Sequence, residues 1–327
     1  MNRRHCLSSF ARLALAMGAT LAGLPVLSGC TPKAPLRVGI HPWIGYETLH
    51  LARDFNWLPP EVQFHEAKDL NSSAEALHAG QTDTACLTLD SVLRLRSVGV
   101  PVSVALVFDV SAGADVVLAQ PAIKRLSDLA GKRIGIDQGD LGALVLGKLL
   151  TAAGLPASAV VVVDCPSERQ LSAWKNKEVD AIISYEPTAT LLQREGAHRL
   201  FDSRQMPDAI VDVLAVRTDR SDAHKDALQA LVAGHFRGLA HLQTNRQDAI
   251  HRIAGRENIT PNEVQLAVAG LVLPTLEANW EYLSSADGRL MRAAKALSSL
   301  MVRLALLEKE DALVGLTSPA WLPRIQS

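Results

Sequence analysis

From residue 36 onward, short apolar runs rich in β-branched residues alternate with segments whose apolar positions recur every three or four residues. That alternation predicts βα units arranged in parallel sheets. Strands are expected at 36–40, 62–67, 84–89 and 102–110, with helices over 47–56, 71–80 and 90–97. Ser72 and Glu75 have the spacing of a capping box at a helix start, and Ala79-Gly80 reads as that helix's end. A further apolar run at 115–120 ends at Pro121, and the pattern then restarts. Strands at 132–136, 159–164 and 180–184 alternate with helices at 140–153, 168–177 and 187–195, and a strong strand follows at 210–217. From 222 to 307 the chain is mostly helical, with caps near Ser221 and at Thr260-Pro261.

A second α/β set is therefore inserted into the first, between the runs at 115–120 and 210–217. The expected architecture is α/β: two lobes joined by a two-strand hinge, with a cleft between them and a helical C-terminal region. The first lobe takes 36–117 and 213–327, the second 118–212. Ligands of open α/β sheets bind beyond the carboxyl ends of the strands, which places the chemistry in the loops at 41–47, 88–91, 109–115, 137–142, 165–168 and 184–188. The apolar spacing over 285–309 reads as a helix packed on the first lobe, with Trp321-Leu322-Pro323 pinning the tail.

Composition narrows the class. The 327 residues are 48% hydrophobic and 20% charged, with a formal net charge of −1, which suits a globular protein with no nucleic-acid partner. Arg3 and Arg4 precede an apolar run at 10–27 that ends in Leu27-Ser28-Gly29-Cys30. That order is a signal peptide at 1–29 with the small-residue-then-cysteine pattern of a bacterial lipobox. Cys30 is then the lipidated N-terminus, on the periplasmic side of the cell membrane. Of the 4 cysteines, Cys86 and Cys165 sit in separate apolar strands and read as independent buried thiols. No cysteine or histidine spacing suits a metal, and no cofactor is expected.

Three segments in order carry a resemblance. They are Trp43-Ile44-Gly45-Tyr46-Glu47 after the first strand, 126–135 (LSDLAGKRIG) opening the second lobe, and 178–187 (EVDAIISYEP). With the lipobox and the hinge pattern, they make the chain similar to ABC-transporter substrate-binding proteins of the nitrate/sulfonate/taurine/thiamine-precursor group, over residues 36 to 240. The resemblance implies the two-lobed periplasmic-binding-protein fold (type II). It also implies a monomer that closes on a small solute and delivers it to a membrane permease. The chain has no Gly-rich Walker loop, so the ATPase is expected to be a separate subunit.

The candidate ligand contacts follow from the strand-end loops. Trp43 and Tyr46 offer rings for stacking, with Gly45 allowing close approach. Thr88, Asp90 and Ser91 open a helix, where free N–H groups favour an acceptor, although Asp90 also reads as an N-cap. Ser111 and Asp109 sit near the hinge. Gln138 and Gly139 precede a helix that Asp140 is placed to cap; relatives bind there through backbone and short polar groups. Tyr185 and Glu186 match a family position that faces the cleft. The set of Asp90, Asp109, Asp140 and Glu186, with little Lys or Arg, points to a small organic solute with an aromatic or amino part. Two other roles fit the pattern. One is the input subunit of a membrane sensor kinase or cyclase. The other is an enzyme like the pyrimidine synthases, which the absence of a cysteine-rich motif and of the usual nucleophile motifs disfavours; no catalytic residue is assigned.

Overall fold

The computed structural model describes residues 34–284 and 287–325. The leader at 1–29 and Cys30 lie outside the described residues. The chain begins with β1 (Leu36–Ile40), α1 (Glu47–Asp54), β2 (Val62–Glu66), α2 (Leu70–His78), β3 (Thr84–Thr88), α3 (Leu89–Ser97) and β4 (Val102–Ser111). A second set follows: β5 (Asp115–Ala119), β6 (Arg133–Ile136), α4 (Asp140–Ala153), β7 (Val161–Asp164), α5 (Ser167–Lys175), β8 (Ala181–Tyr185), α6 (Thr188–Arg194) and β9 (His198–Asp202). Then come β10 (Val211–Arg217), α7 (Lys225–Thr244), α8 (Arg246–Glu257), α9 (Pro261–Ala269), β11 (Leu271–Val272), α10 (Leu276–Ser284) and α11 (Arg289–Arg303).

The strands form two sheets, ordered β11-β4-β10-β3-β1-β2 and β7-β6-β8-β5-β9. In the first, β1 runs parallel to β2 and β3, while β10 lies antiparallel between β3 and β4. In the second, β6 runs parallel to β7 and β8, while β5 lies antiparallel between β8 and β9. Strands covered on both faces read as continuous apolar runs, and every residue of β3, β4 and β5 is buried. Successive residues of β5 feed opposite faces. Val117 and Ala119 join one core with Ile134 and Leu149, and Val116 and Leu118 join another with Trp174 and Leu192. The first sheet and the C-terminal helices share a single larger core.

The chain passes between the sheets at 112–114 and again at 203–210. Both β5 and β10 lie wholly within one sheet. The sequence divisions at 117/118 and 212/213 therefore fall inside strands, and the connections are the short segments before them. These two connections are tied together. The Ser203 hydroxyl accepts from the Gly113 N–H at 2.6 Å and lies 2.8 Å from the Ser111 hydroxyl. The Ser111 hydroxyl in turn accepts from the Asp115 N–H at 3.1 Å. Gly113 has φ +123, a conformation that residues with a Cβ rarely adopt, so glycine is needed there.

Local differences from the sequence reading have local causes. The helix after β2 starts at Leu70, and its cap is Asp69, whose carboxylate accepts from the Ser72 N–H at 2.7 Å, so Ser72 and Glu75 do not form a capping box. The expected box at Thr260 is present, with Glu263 as its partner and Pro261 at the first helical position. Strand β9 escapes a periodicity reading because His198, Arg199 and Asp202 interrupt its apolar positions, and β11 has only 2 residues. Cys86 and Cys165 are free and buried, as expected. The C-terminal α11 buries Leu290, Ala294, Leu297 and Met301 in the first core, and Trp321 and Leu322 join it. Among the described residues, no helix is long and apolar enough to cross a membrane.

Candidate functional site

Two adjoining voids open where the carboxyl ends of β1 and β3 meet those of β6 and β8. They share Leu70, Asp115, Leu141 and Tyr185 as walls. One adds His41, Trp43, Thr88, Ile210 and Asp212; the other adds Asn71, Asp137, Gly139 and Ile183 among its walls. Their volumes are about 20 and 30 Å³, room for a water or two. Admitting an organic solute thus requires the two sheets to part.

The two sides are held together by polar contacts. The Arg94 guanidinium of α3 grips the Asp140 carboxylate of α4 through bonds of 2.9–3.2 Å. The Asn71 amide donates to the Gln138 carbonyl at 2.6 Å and to the Asp137 carboxylate at 3.2 Å. The rings of Trp43 and Tyr185 meet edge-on at 5.8 Å across the cleft.

Carboxyl groups dominate the electrostatics. Asp109 of β4 and Asp212 of β10 stand side by side in register. The Trp43 ring N–H donates to Asp109 at 3.1 Å, and the Tyr46 hydroxyl donates to Asp212 at 2.5 Å. Burial pushes Asp109 up to about 8, against the pull of the Trp43 hydrogen bond. Burial and then the neighbouring Asp109 charge hold Asp212 well above the carboxylate range. Asp90 and Asp115 are each pushed up to about 7, mainly by burial, and Asp137 to about 6. His41 goes the other way, lowered to about 4 by burial, so its ring is neutral.

The expected contacts are distributed as follows. Trp43, Thr88, Gly139 and Tyr185 line the voids. Gly45 supports them from behind: a Cβ there would stand 1.9 Å from Asp109 Oδ2 and 2.5 Å from Trp43 Nε1. Tyr46 packs edge-on against His41 and Phe108 and acts through Asp212. Asp90 lies within the first turn of α3 and is not its N-cap, which is Thr88; both Asp90 oxygens lack a hydrogen-bond partner. Asp140 is not an N-cap either: it sits one place after Gly139, which is, and pairs with Arg94. Ser111 belongs to the crossover, and Gln138 contributes its carbonyl to Asn71. Glu186 turns onto the next helix, accepting from the Thr190 N–H at 3.1 Å and its hydroxyl at 2.7 Å. His41 is buried with Nδ1 unpartnered and lines a void.

Asp115, Asp137 and Asp212 also wall the voids, although their sequence context did not mark them as site residues. The available signal was a lone aspartate inside an apolar strand, as in Val211-Asp212-Val213. A charge in such a run is costly unless something answers it.

Known proteins match at three levels. Residues 61–249 match the family described as NMT1/THI5 like. A putative binding protein of Brucella abortus (strain 2308) is 36% identical over 67 residues, which is 20% of this chain and 21% of that protein. The chain thus spans about a fifth of the length of the curated relatives it matches. Among solved structures, the alkanesulfonate-binding protein SsuA from Xanthomonas axonopodis pv. citri, bound to MOPS, is similar with TM-score 0.71 and 19% identity, over 88% of this chain and 97% of that one. The aliphatic sulphonate-binding SsuA from Escherichia coli gives 0.71 and 16%, over 91% and 95%. The nitrate-binding NrtA from Synechocystis PCC 6803 gives 0.60 and 11%, over 71% and 69%. At these identities the likeness is one of fold, the two-lobed type II fold of periplasmic binding proteins. The match over 61–249 spans more than half of the sequence, and the chain belongs to the NMT1/THI5-like family.

Proposed function

We propose that this chain is the extracytoplasmic solute-binding subunit of an ABC import system. It captures a small organic solute between its two lobes and hands it to a membrane permease driven by a separate ATPase. The observation that carries this reading is the pair of voids between the two sheets, walled by Trp43, Thr88, Asp115, Gly139, Tyr185 and Asp212 from both sides. Leu144 of the second lobe packs into the first core, while the clasps Arg94–Asp140 and Asn71–Gln138 are polar and can exchange for water when the lobes part and close around a guest. Family membership and the fold of its structural neighbours point the same way. Lipidation at Cys30 would hold the monomer beside its permease and raise its effective concentration there.

Binding is favoured over catalysis by the state of the thiols. Burial raises the Cys86 thiol well above its ordinary value and pushes Cys165 up to about 11, so neither offers a thiolate nucleophile.

The test is a thermal-shift screen of small organic solutes on the full-length protein, followed by uptake measurements in cells lacking the gene. A solute that binds only the folded state raises the melting temperature; at 100 times Kd the gain is about 2.7 kcal/mol. The same solute should enter the deletion strain more slowly than the wild type. Unchanged uptake of every stabilising solute would refute the transport role.

A further inference from the structure

Three features of the cleft bear on the charge of its guest. First, its carboxyl groups have unused acceptors. Oδ2 of Asp115, which lines both voids and is 4% exposed, has no hydrogen-bond partner; behind the walls, both oxygens of Asp90 and Oδ1 of Asp109, in residues 0% exposed, have none either. Second, the neutral ring of His41, 6% exposed, leaves Nδ1 unpartnered on the same void that Asp115 and Asp212 line. Third, among the described residues no Lys or Arg lines either void. The nearby guanidiniums are engaged elsewhere: Arg94 by Asp140, and Arg199 and Arg204 by Asp202.

We propose that the solute is an organic cation, an ammonium or amidinium group carried on an apolar or aromatic body, seated between Trp43 and Tyr185 with Asp115 and Asp212 as its counter-ions. The inference rests on the reading of the cleft as a solute site and specifies its ligand class. Buried carboxyls with no internal cation are tolerable only when protonated or when a cation arrives from outside. Trp43 and Tyr185 add ring faces of the kind that attract cations within about 6 Å. A sulfonate or nitrate would need a cationic partner, and among the described residues no Lys or Arg lines either void. Asp90 and Asp140 already occupy the first turns of α3 and α4, where an anion would otherwise find free N–H groups.

Capture then exchanges charge for charge. The ammonium keeps its protons, one cleft carboxyl releases its proton to solvent, and the carboxylate so formed pairs with the cation. The groups facing this exchange are His41 from the loop after β1, Tyr46 from the turn after it, Asp69 at the start of α2, Asp90 from α3, Asp109 from β4, Asp137 after β6, Tyr185 at the end of β8 and Glu186 just after it. Cys86 of β3 lies beside Tyr46 and Asp212. With Asp115 near 7, the ionised fraction rises about tenfold between pH 6 and pH 8, so affinity for a cation should rise about tenfold over that range.

The test uses benzylammonium, benzamidinium and phenethylammonium against benzenesulfonate, taurine and nitrate, titrated calorimetrically into the full-length protein at pH 6 and pH 8. Two buffers of different ionisation enthalpy count the protons. The expected result is binding of at least one cation, about tenfold tighter at pH 8, with proton release at pH 6. Asp115→Asn and Asp212→Asn should each lose that affinity, and Asp115→Asn its pH dependence as well, while each variant still unfolds in one cooperative transition. Binding of the anions with proton uptake or none, or cation binding indifferent to both pH and these variants, would overturn the proposal and leave solute capture standing. Failure of all six probes would overturn the cation assignment, and capture itself would fall only if the wider neutral-solute screen were also silent.

Discussion

Asp109 and Asp212 oppose each other directly in the antiparallel register of β4 and β10, buried at the base of the cleft. Thr88 of β3 stands on the other side of Asp212. Two carboxyls so close cannot both ionise cheaply, and they titrate as a unit. In the folded protein the pair holds protons that an unfolded chain, with carboxyls near 4, has released.

The stability consequence follows from that sign. Folded-state values raised above unfolded ones give stability that is full below about pH 4 and lost as pH climbs through about 8. Asp109→Asn keeps an acceptor for the Trp43 N–H and removes the titration. It is expected to match the wild type near pH 4 and to be more stable near pH 9, by about a few kcal/mol. Denaturant unfolding at both values measures it. A variant that loses stability as steeply as the wild type would contradict the account.

Gly45 leaves no room for a side chain. A Cβ 1.9 Å from Asp109 Oδ2 must push Asp109 or the turn at 44–46 aside. Gly45→Ala should cost about 1–3 kcal/mol and weaken solute binding by displacing Trp43. Melting temperature and a binding titration read the two effects separately.

Trp43→Phe keeps a ring opposite Tyr185 and deletes the donor to Asp109. Leaving that buried oxygen unpartnered should cost about 1–3 kcal/mol. The loss should grow toward alkaline pH, because the ring N–H favours the ionised carboxylate. An equal loss at pH 5 and pH 9 would argue that only packing had changed.

Arg94 and Asp140 clasp α3 to α4, with side chains 42% and 15% exposed. An ion pair this open contributes under about 1 kcal/mol to folding, but it connects the two sides of the cleft. Arg94→Gln should change the unfolding midpoint little and increase the radius of gyration in small-angle scattering. A scattering curve identical to the wild type would show that this clasp does not govern opening.

Cys30→Ser should release the protein from the membrane fraction into the soluble extracytoplasmic fraction if the cysteine carries the anchor. Persistence of the variant in the membrane pellet would remove lipidation as the tether.

Much of the fold was legible in the chain itself. Helix α4 has the bounds expected from its spacing, and Thr260-Pro261 marks the start of α9. Such features depend on neighbours within a few residues, where periodicity and capping act. Strand-end loops also located Trp43, Thr88, Gly139 and Tyr185 near the site. The tertiary structure decided what each polar group faces. Asp90 and Asp140 both looked like N-caps, yet one is buried without a partner and the other is held by Arg94. Glu186 looked like a cleft residue and is occupied by Thr190. Asp109, Asp115 and Asp212 are unremarkable singly. Their chemistry arises because β10 inserts between β3 and β4 and because Asp115 opens β5 beside Tyr185 of β8. Local pattern sets which residues form an element, but burial and the neighbouring charge set a carboxyl's proton affinity, and both are supplied by strands far apart in sequence.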